Sequence, residues 1–215
     1  MKTLKNDWLI WLMLVIPFVF IAVYWKQFPD QIATHFDMDG NPNDYSSKAF
    51  GLFILPGINL ALYLLFAVMP MIDPKKANYV VFNPKFRIVR IVLHVFFTFG
   101  FFISSFYALG YHFNFSKLMI YGVMMLFLIL GNYMGNIRQN FFIGVRTPWT
   151  LSNEEVWTKT HRTTARLWVI SSLLMMASFP ILPHPKLLFG IYIAVIAATP
   201  IIYSYVVYRK IKSNN

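Results

Sequence analysis

Six long uncharged runs divide this chain, at residues 8–25, 49–72, 91–116, 118–137, 167–185 and 187–208. Each is about as long as a helix must be to cross a bilayer core, roughly 20 residues. A soluble core does not need six such runs in 215 residues. Charged residues make up 13% of the chain, about half the share usual in soluble domains. The runs predict an all-α, polytopic integral membrane protein with six transmembrane helices.

The net charge is +11, which raises the question of nucleic acid. Its placement answers it. With the amino terminus inside, fifteen Lys and Arg fall on inner segments, including Lys2, Lys5, Lys75, Arg138, Arg146, Arg162 and Lys210. Four fall outside: Lys26, Lys48, Lys117 and Lys186. Cytoplasmic loops carry such an excess, so the count predicts both termini in the cytoplasm of a cell-membrane protein. The outer lysines are balanced by Asp30, Asp37, Asp39 and Asp44. The excess faces anionic lipid, and direct nucleic-acid binding is not needed to explain it. Lys2 and Lys5 ahead of an apolar run resemble a signal peptide. The run is too long and lacks a small-residue cleavage site, so it is read as an uncleaved first span. Cysteine is absent, which removes disulfides, thiolate catalysis and cysteine metal sites.

Trp8, Trp11 and Trp25 mark the ends of span one, and Trp149, Trp157 and Trp168 the entry to span five, as interfacial aromatic rings do. Pro17, Pro56, Pro180 and Pro200 are helix-bending positions. Two connections are long. The outer loop 26–48 offers a short extended segment at 31–36 and turn signals at Asp39-Gly40 and at Asn41-Pro42-Asn43-Asp44. The inner loop is 136–166.

In the inner loop, Ser152 and Glu155 fit a capping box, with Leu151 and Val156 as its hydrophobic staple. This predicts a helix from Asn153. It would be an amphipathic cytoplasmic helix leading into span five, with Glu155 and Lys159 paired and Trp157, His161 and Trp168 along one side.

In the outer loop, Asp37, Asp39, Asn41, Asn43 and Asp44 invite a calcium reading. The EF-hand spacing fails, because glycine comes fourth from Asp37 and the twelfth residue is Lys48. A looser site with His35 would leave these acids as an extracellular sensing surface. Arg90, His94 and Thr98 form a polar stripe on span three, where intramembrane ionisable groups face the bundle interior. Asn59, Asn132 and Asn136 add amides, and Gly131 and Gly135, four apart, permit close helix approach. Glu154-Glu155 invites comparison with intramembrane prenyl endopeptidases. The basic residue at the matching spacing is Lys159 rather than arginine, and the one histidine in this part of the chain, His184, sits at the end of the fifth run, in the loop between spans five and six. No catalytic triad or metal-histidine spacing appears elsewhere. The residues predict no catalytic site and no cofactor.

The stretch Gly131-Asn132-Tyr133-Met134-Gly135, then Asn140 through Ser152 (NFFIGVRTPWTLS), then Val156-Trp157 and Thr160-His161-Arg162, closely resembles the SdpI family of bacterial multi-pass membrane proteins. Pro29, Thr34-His35-Phe36, Gly40, Asp44 and Lys48 resemble the uncharacterised module that often precedes it. One departure is Thr163-Thr164-Ala165-Arg166, where a small residue such as glycine is expected. The resemblance implies a two-span module at 1–72, with its loop at 26–48, and a four-span module at 73–215. It implies immunity to a secreted peptide toxin, with capture of a small cytosolic transcriptional repressor as a signalling role. The partner-binding or signalling residues it marks are Asn132, Asn140, Arg146, Thr147, Pro148, Trp149, Trp157, His161 and Arg162, with membrane lipids as a further partner. The competing reading is a small transporter or channel using Arg90, His94 and Asn132.

Overall fold

A computed structural model describes residues 7–213. Lys2 and Lys5, part of the inward charge count, lie outside the described residues. Among those described, the order is α1 (Trp8–Tyr24), β1 (Gln31–Phe36), β2 (Pro42–Ser47), α2 (Lys48–Ile72), α3 (Ala77–Ala108), α4 (Phe115–Met134), α5 (Pro148–Ser152), α6 (Glu154–Ser178) and α7 (Pro185–Ser213). The chain is mostly helical. The β1–β2 hairpin is a departure from a purely α fold.

Among the described residues, four helices, α2, α3, α4 and α7, are long and apolar enough to cross a membrane, and α1 is a shorter apolar helix of 17 residues. The protein is a multi-pass membrane protein. Two elements differ in extent from the uncharged runs. α3 begins at Ala77, fourteen residues before its uncharged run, and carries Pro84 inside it. The stretch taken for a short connection is therefore mostly helix. α6 runs unbroken from Glu154 to Ser178. It joins a charged first half, with Glu154, Glu155, Lys159, Arg162 and Arg166, to an apolar second half.

The chain forms two compact units. Unit 1 comprises the chain up to Ala67 together with Arg90–Val123; unit 2 comprises Val68–Val89 and Met124–Asn215. In unit 1, β1 pairs antiparallel with β2, Gln31 opposite Ser47 and Phe36 opposite Pro42, with irregular register around His35. Residues 42–44, which carry turn signals, are strand, and the reversal sits at 37–41. Asp37 Oδ1 accepts the Asp39 and Asn41 amides at 2.8 and 2.9 Å. Gly40 closes the turn at φ +89°, a left-handed conformation that favours glycine.

The hairpin is seated on helices. Phe36 stacks on Phe115 with centroids 3.7 Å apart. The Asp37 carbonyl accepts the Ser116 hydroxyl, and the Asp39 carbonyl accepts Asn114 Nδ2 at 3.0 Å. Beneath the strands, Ile32 and Phe28 join Ile21, Leu52 and Phe101 in one buried cluster. A Cβ on Gly51 would lie 2.5 Å from Ile32 Cβ, so glycine lets α2 pass close to β1.

In unit 2, a Cβ on Gly131 would lie 2.9 Å from Trp168 Cβ, while one on Gly135 would meet Ala165 Cβ at an ordinary 3.5 Å. The small-residue spacing thus lets α4 approach α6. α6 and α7 are tied by Trp168 Nε1 donating to the Ile196 carbonyl at 3.0 Å and by the Ser172–Tyr192 hydroxyl pair at 2.8 Å.

Candidate functional site

The densest motif of the sequence, 136–162, folds in unit 2 as a closed loop pinned to α6, α7 and the start of α3. Its first anchor is Asn140, fully buried. Asn140 Oδ1 accepts the Phe142 and Ile143 amides at 2.9 and 2.7 Å, and its Nδ2 donates to the Arg138 and Ile143 carbonyls. One side chain therefore satisfies the backbone of a tight turn from both sides. The second anchor is Gln139, whose Nε2 donates to the Thr150 and Leu151 carbonyls at 2.7 and 2.9 Å. Its Oε1 accepts Lys75 Nζ, and its main-chain carbonyl accepts Asn78 Nδ2 at 2.7 Å. The third is Asp73, buried, which accepts the Lys75 amide, the Tyr79 hydroxyl and the Phe141 amide at 2.7, 3.1 and 3.0 Å.

The helix starts differ from the expected capping box. Ser152 ends α5, and its hydroxyl donates to the Trp149 carbonyl. The capping box belongs to α5: Thr147 Oγ1 accepts the Thr150 amide, and Thr150 Oγ1 accepts the Thr147 amide at 2.9 Å. Pro148 at the first helical position suits that start. Asn153 caps α6, its Oδ1 accepting the Glu155 and Val156 amides. Asparagine is as good a cap as serine, and here it sits one residue nearer the helix. Glu155 and Lys159 pair as expected, at 2.6 Å. Thr147 also meets the Ser204 hydroxyl of α7 at 3.0 Å, and Trp149 packs on Tyr205 with centroids 5.0 Å apart.

Trp157 and His161 were expected along an interfacial face; they are interior. Trp157 is 1% exposed and donates Nε1 to the Ile137 carbonyl at 2.8 Å. His161 stacks on it with centroids 4.0 Å apart. His161 Nε2 accepts the Val145 amide at 3.0 Å, so it carries no proton. Nδ1 lies 2.8 Å from the Trp157 carbonyl, which can only accept, so Nδ1 carries the proton. Burial pushes the ring down to about 4, against a smaller upward effect of that carbonyl. Gly144, at φ +112°, crosses the ring edge: a Cβ there would lie 2.3 Å from Nε2.

Around this interior the motif leaves an exposed face of Phe141, Arg146, Pro148 and Arg162. Arg146 Nη1 donates to the Phe141 carbonyl at 2.9 Å, which steers the guanidinium across the turn. Asn132 is exposed on α4, apart from the loop.

In unit 1 the polar stripe forms a chain of bonds. Arg90 is enclosed rather than reaching to an interface, and Arg90 Nη2 meets Asp7 Oδ2 at 2.5 Å with both side chains at most 1% exposed. The Arg90 guanidinium lies 5.7 Å from the Tyr63 ring centroid. His94 Nδ1 meets Asn59 Oδ1 at 2.6 Å, Asn59 Nδ2 donates to Thr98 at 3.2 Å, and Thr98 donates to the Met13 carbonyl at 3.4 Å. These bonds tie α1, α2 and α3 together, which also gives Asn59 its structural role. In the hairpin, His35 is exposed and bonds Asn43 at 2.6 Å. Asp37 faces its own turn, and the Asn41 amide holds its carboxyl below the usual range. Among the described residues, no three of His, Asp and Glu group as metal ligands, so the looser site with His35 does not assemble.

Asp7, Asp73, Gln139 and Thr150 were missed by the sequence reading. The two acids had a signal: Asp7 and Asp73 stand among segments otherwise dominated by Lys and Arg. Thr150 lay within the run that resembles the family without being singled out, and Gln139 had no signal.

Comparison with known proteins bears on the same segments. Residues 12–60 match the model of a domain of unknown function (DUF1648). The chain is similar to Immunity protein SdpI of Bacillus subtilis (strain 168), 29% identical over 159 residues, which cover 74% of this chain and 73% of the relative. No solved structure matches. Residues 136–204, which hold the closed loop and most of the α6–α7 pair, match the model of the SdpI/YfhL protein family.

Proposed function

We propose that this protein is a membrane immunity protein that protects its cell from a secreted peptide toxin. The observation that carries this is its similarity to an immunity protein over most of both chains. Under this reading it is not an enzyme. α1 and α6 join the four longer helices to give six spans, with both termini and the loop 136–166 in the cytoplasm. Residues 1–72 act as the module bearing the hairpin, and 73–215 as the family module. The start of α6 then lies at the cytoplasmic membrane surface.

The closed loop has the properties of a rigid presenting surface. Its backbone is held from inside by Asn140, Gln139, Asp73 and His161, and its exposed Arg146 is steered by a main-chain carbonyl. We take capture of a small repressor as the role of that exposed face. A transport path is less well supported, since Arg90 is engaged by Asp7 and His94 by Asn59 of α2, and Asn132 is exposed on α4.

Survival of toxin-sensitive cells, with and without the protein, tests immunity. Arg146→Lys in the same assay tests the face. Lysine keeps the charge but lacks the planar donor fork. Loss of protection in Arg146→Lys at normal expression supports specific recognition. Protection that survives lysine but fails in Arg146→Ala would reduce the residue to lipid attraction. No protection by the wild-type protein against any co-expressed secreted peptide would refute the immunity reading.

A further inference from the structure

Within unit 1, and within the residues matching the domain of unknown function, a cleft of about 760 Å³ runs beside the second half of α1. Pockets of this size with an apolar lining and a few polar groups are the usual form of a small-ligand site. Its wall is aromatic. Phe18 and Trp25 on or beside α1 both approach Phe53 of α2, with centroids 6.0 and 6.3 Å away. Ala22 lies between them and contributes little bulk. At one end stand Lys26 and Gln27, both exposed.

The two cations near this end are not equivalent. Lys48 is engaged: its Nζ lies 3.4 Å from Asp30 Oδ1, donates to the Trp25 carbonyl at 3.5 Å, and sits 5.4 Å from the Trp25 ring centroid. It braces the aromatic wall and is balanced by an acid. Lys26 makes no ion pair among the described residues and stands exposed at the mouth.

An apolar trough ending in one uncompensated cation and one amide complements a molecule with an apolar tail and an anionic head. The tail has to tolerate a floor made of helix side chains, with no free backbone groups to bond. An extended peptide laid there would leave its own amides unpaired. An acyl chain has none to lose. We propose that this cleft binds one acyl chain of an anionic phospholipid from the surrounding bilayer, with the headgroup phosphate at Lys26 and Gln27. The domain at 12–60 would then be a lipid-binding module.

The test uses the full chain purified in detergent, with lipid retention read by native mass spectrometry. The probes are phosphatidylglycerol and phosphatidylcholine with identical acyl chains. The wild-type protein should retain phosphatidylglycerol in preference to phosphatidylcholine. Lys26→Glu, at an exposed side chain outside the packed core, should reduce that preference by about fivefold or more. Ala22→Trp should fill the trough and remove the retained lipid of either kind. Equal retention of the two lipids by the wild type, or retention unchanged in both variants, would overturn the proposal. So would lipid retention that survives Ala22→Trp while that variant abolishes capture of an apolar helical peptide, which would give the cleft to a peptide instead.

Discussion

Gly144→Ala probes the closed loop where it is least forgiving. Two costs act together. The residue sits at φ +112°, where a side chain costs about 1–3 kcal/mol in backbone strain. The new methyl would also fall 2.3 Å from His161 Nε2 and 3.2 and 3.3 Å from the neighbouring ring carbons. The ring cannot step back freely, because it is stacked on Trp157 and bonded through Nδ1 to the Trp157 carbonyl. It has to give up the Val145 amide, leaving a buried nitrogen unpaired at a cost of about 1–3 kcal/mol. The sum is about 4 kcal/mol, or roughly a thousandfold in an opening equilibrium. Hydrogen exchange of the amides at 141–147 should accelerate by about that factor. Gly135→Ala is the matched control: its methyl meets Ala165 Cβ at an ordinary 3.5 Å, so exchange there should change little. A Val145 amide that exchanges within tenfold of wild type in Gly144→Ala would refute the argument that His161 holds this loop.

Two further predictions follow from buried charge. Asp7→Ala removes the buried carboxylate that pairs with the enclosed Arg90 guanidinium and should destabilise unit 1 by about 3–5 kcal/mol, whereas replacing Asp7 and Arg90 together by leucine should recover most of the loss; a double-mutant cycle of denaturant unfolding in detergent measures both. His161 is neutral in the fold, its ring pushed down to about 4 from an ordinary 6.5, so the unfolded chain binds the extra proton first as pH falls. The stability it contributes is complete above pH 6.5 and is lost between 6.5 and 4, by about 3 kcal/mol at most. His161→Gln, whose amide oxygen can still accept from Val145, should flatten the dependence in that window; an identical acid profile in both proteins would count against the assignment.

The four long apolar helices α2, α3, α4 and α7 were legible because a bilayer demands length and apolarity, both countable along a chain. The hairpin strand 31–36 and the Glu155–Lys159 pair were legible for the same local reason. Tertiary partners were not. Arg90, His94 and Thr98 could be placed on one helix face by their spacing, but Asp7 lies 83 residues from Arg90, and no local pattern announces that pairing. The start of α6 was placed one residue early, at Asn153, and given the wrong cap, Ser152. Ser152 and Asn153 are both good caps, and the choice fell to Asn153 because Ser152 already belongs to α5, whose own cap is Thr147.

The same limit governs how the family motif is to be understood. A dense run of polar and aromatic residues reads in sequence as a surface for partners, because water and partners are the usual company of such groups. Here the run is divided by depth. Asn140, Thr147, Trp157 and His161 are buried and spend their hydrogen bonds on the loop's own backbone. Trp149 is partly covered by Tyr205, while Arg146, Pro148 and Arg162 are exposed. Alanine at the first group therefore reports on whether the loop exists. Only substitutions in the second group, with loop exchange rates unchanged, report on what the loop recognises.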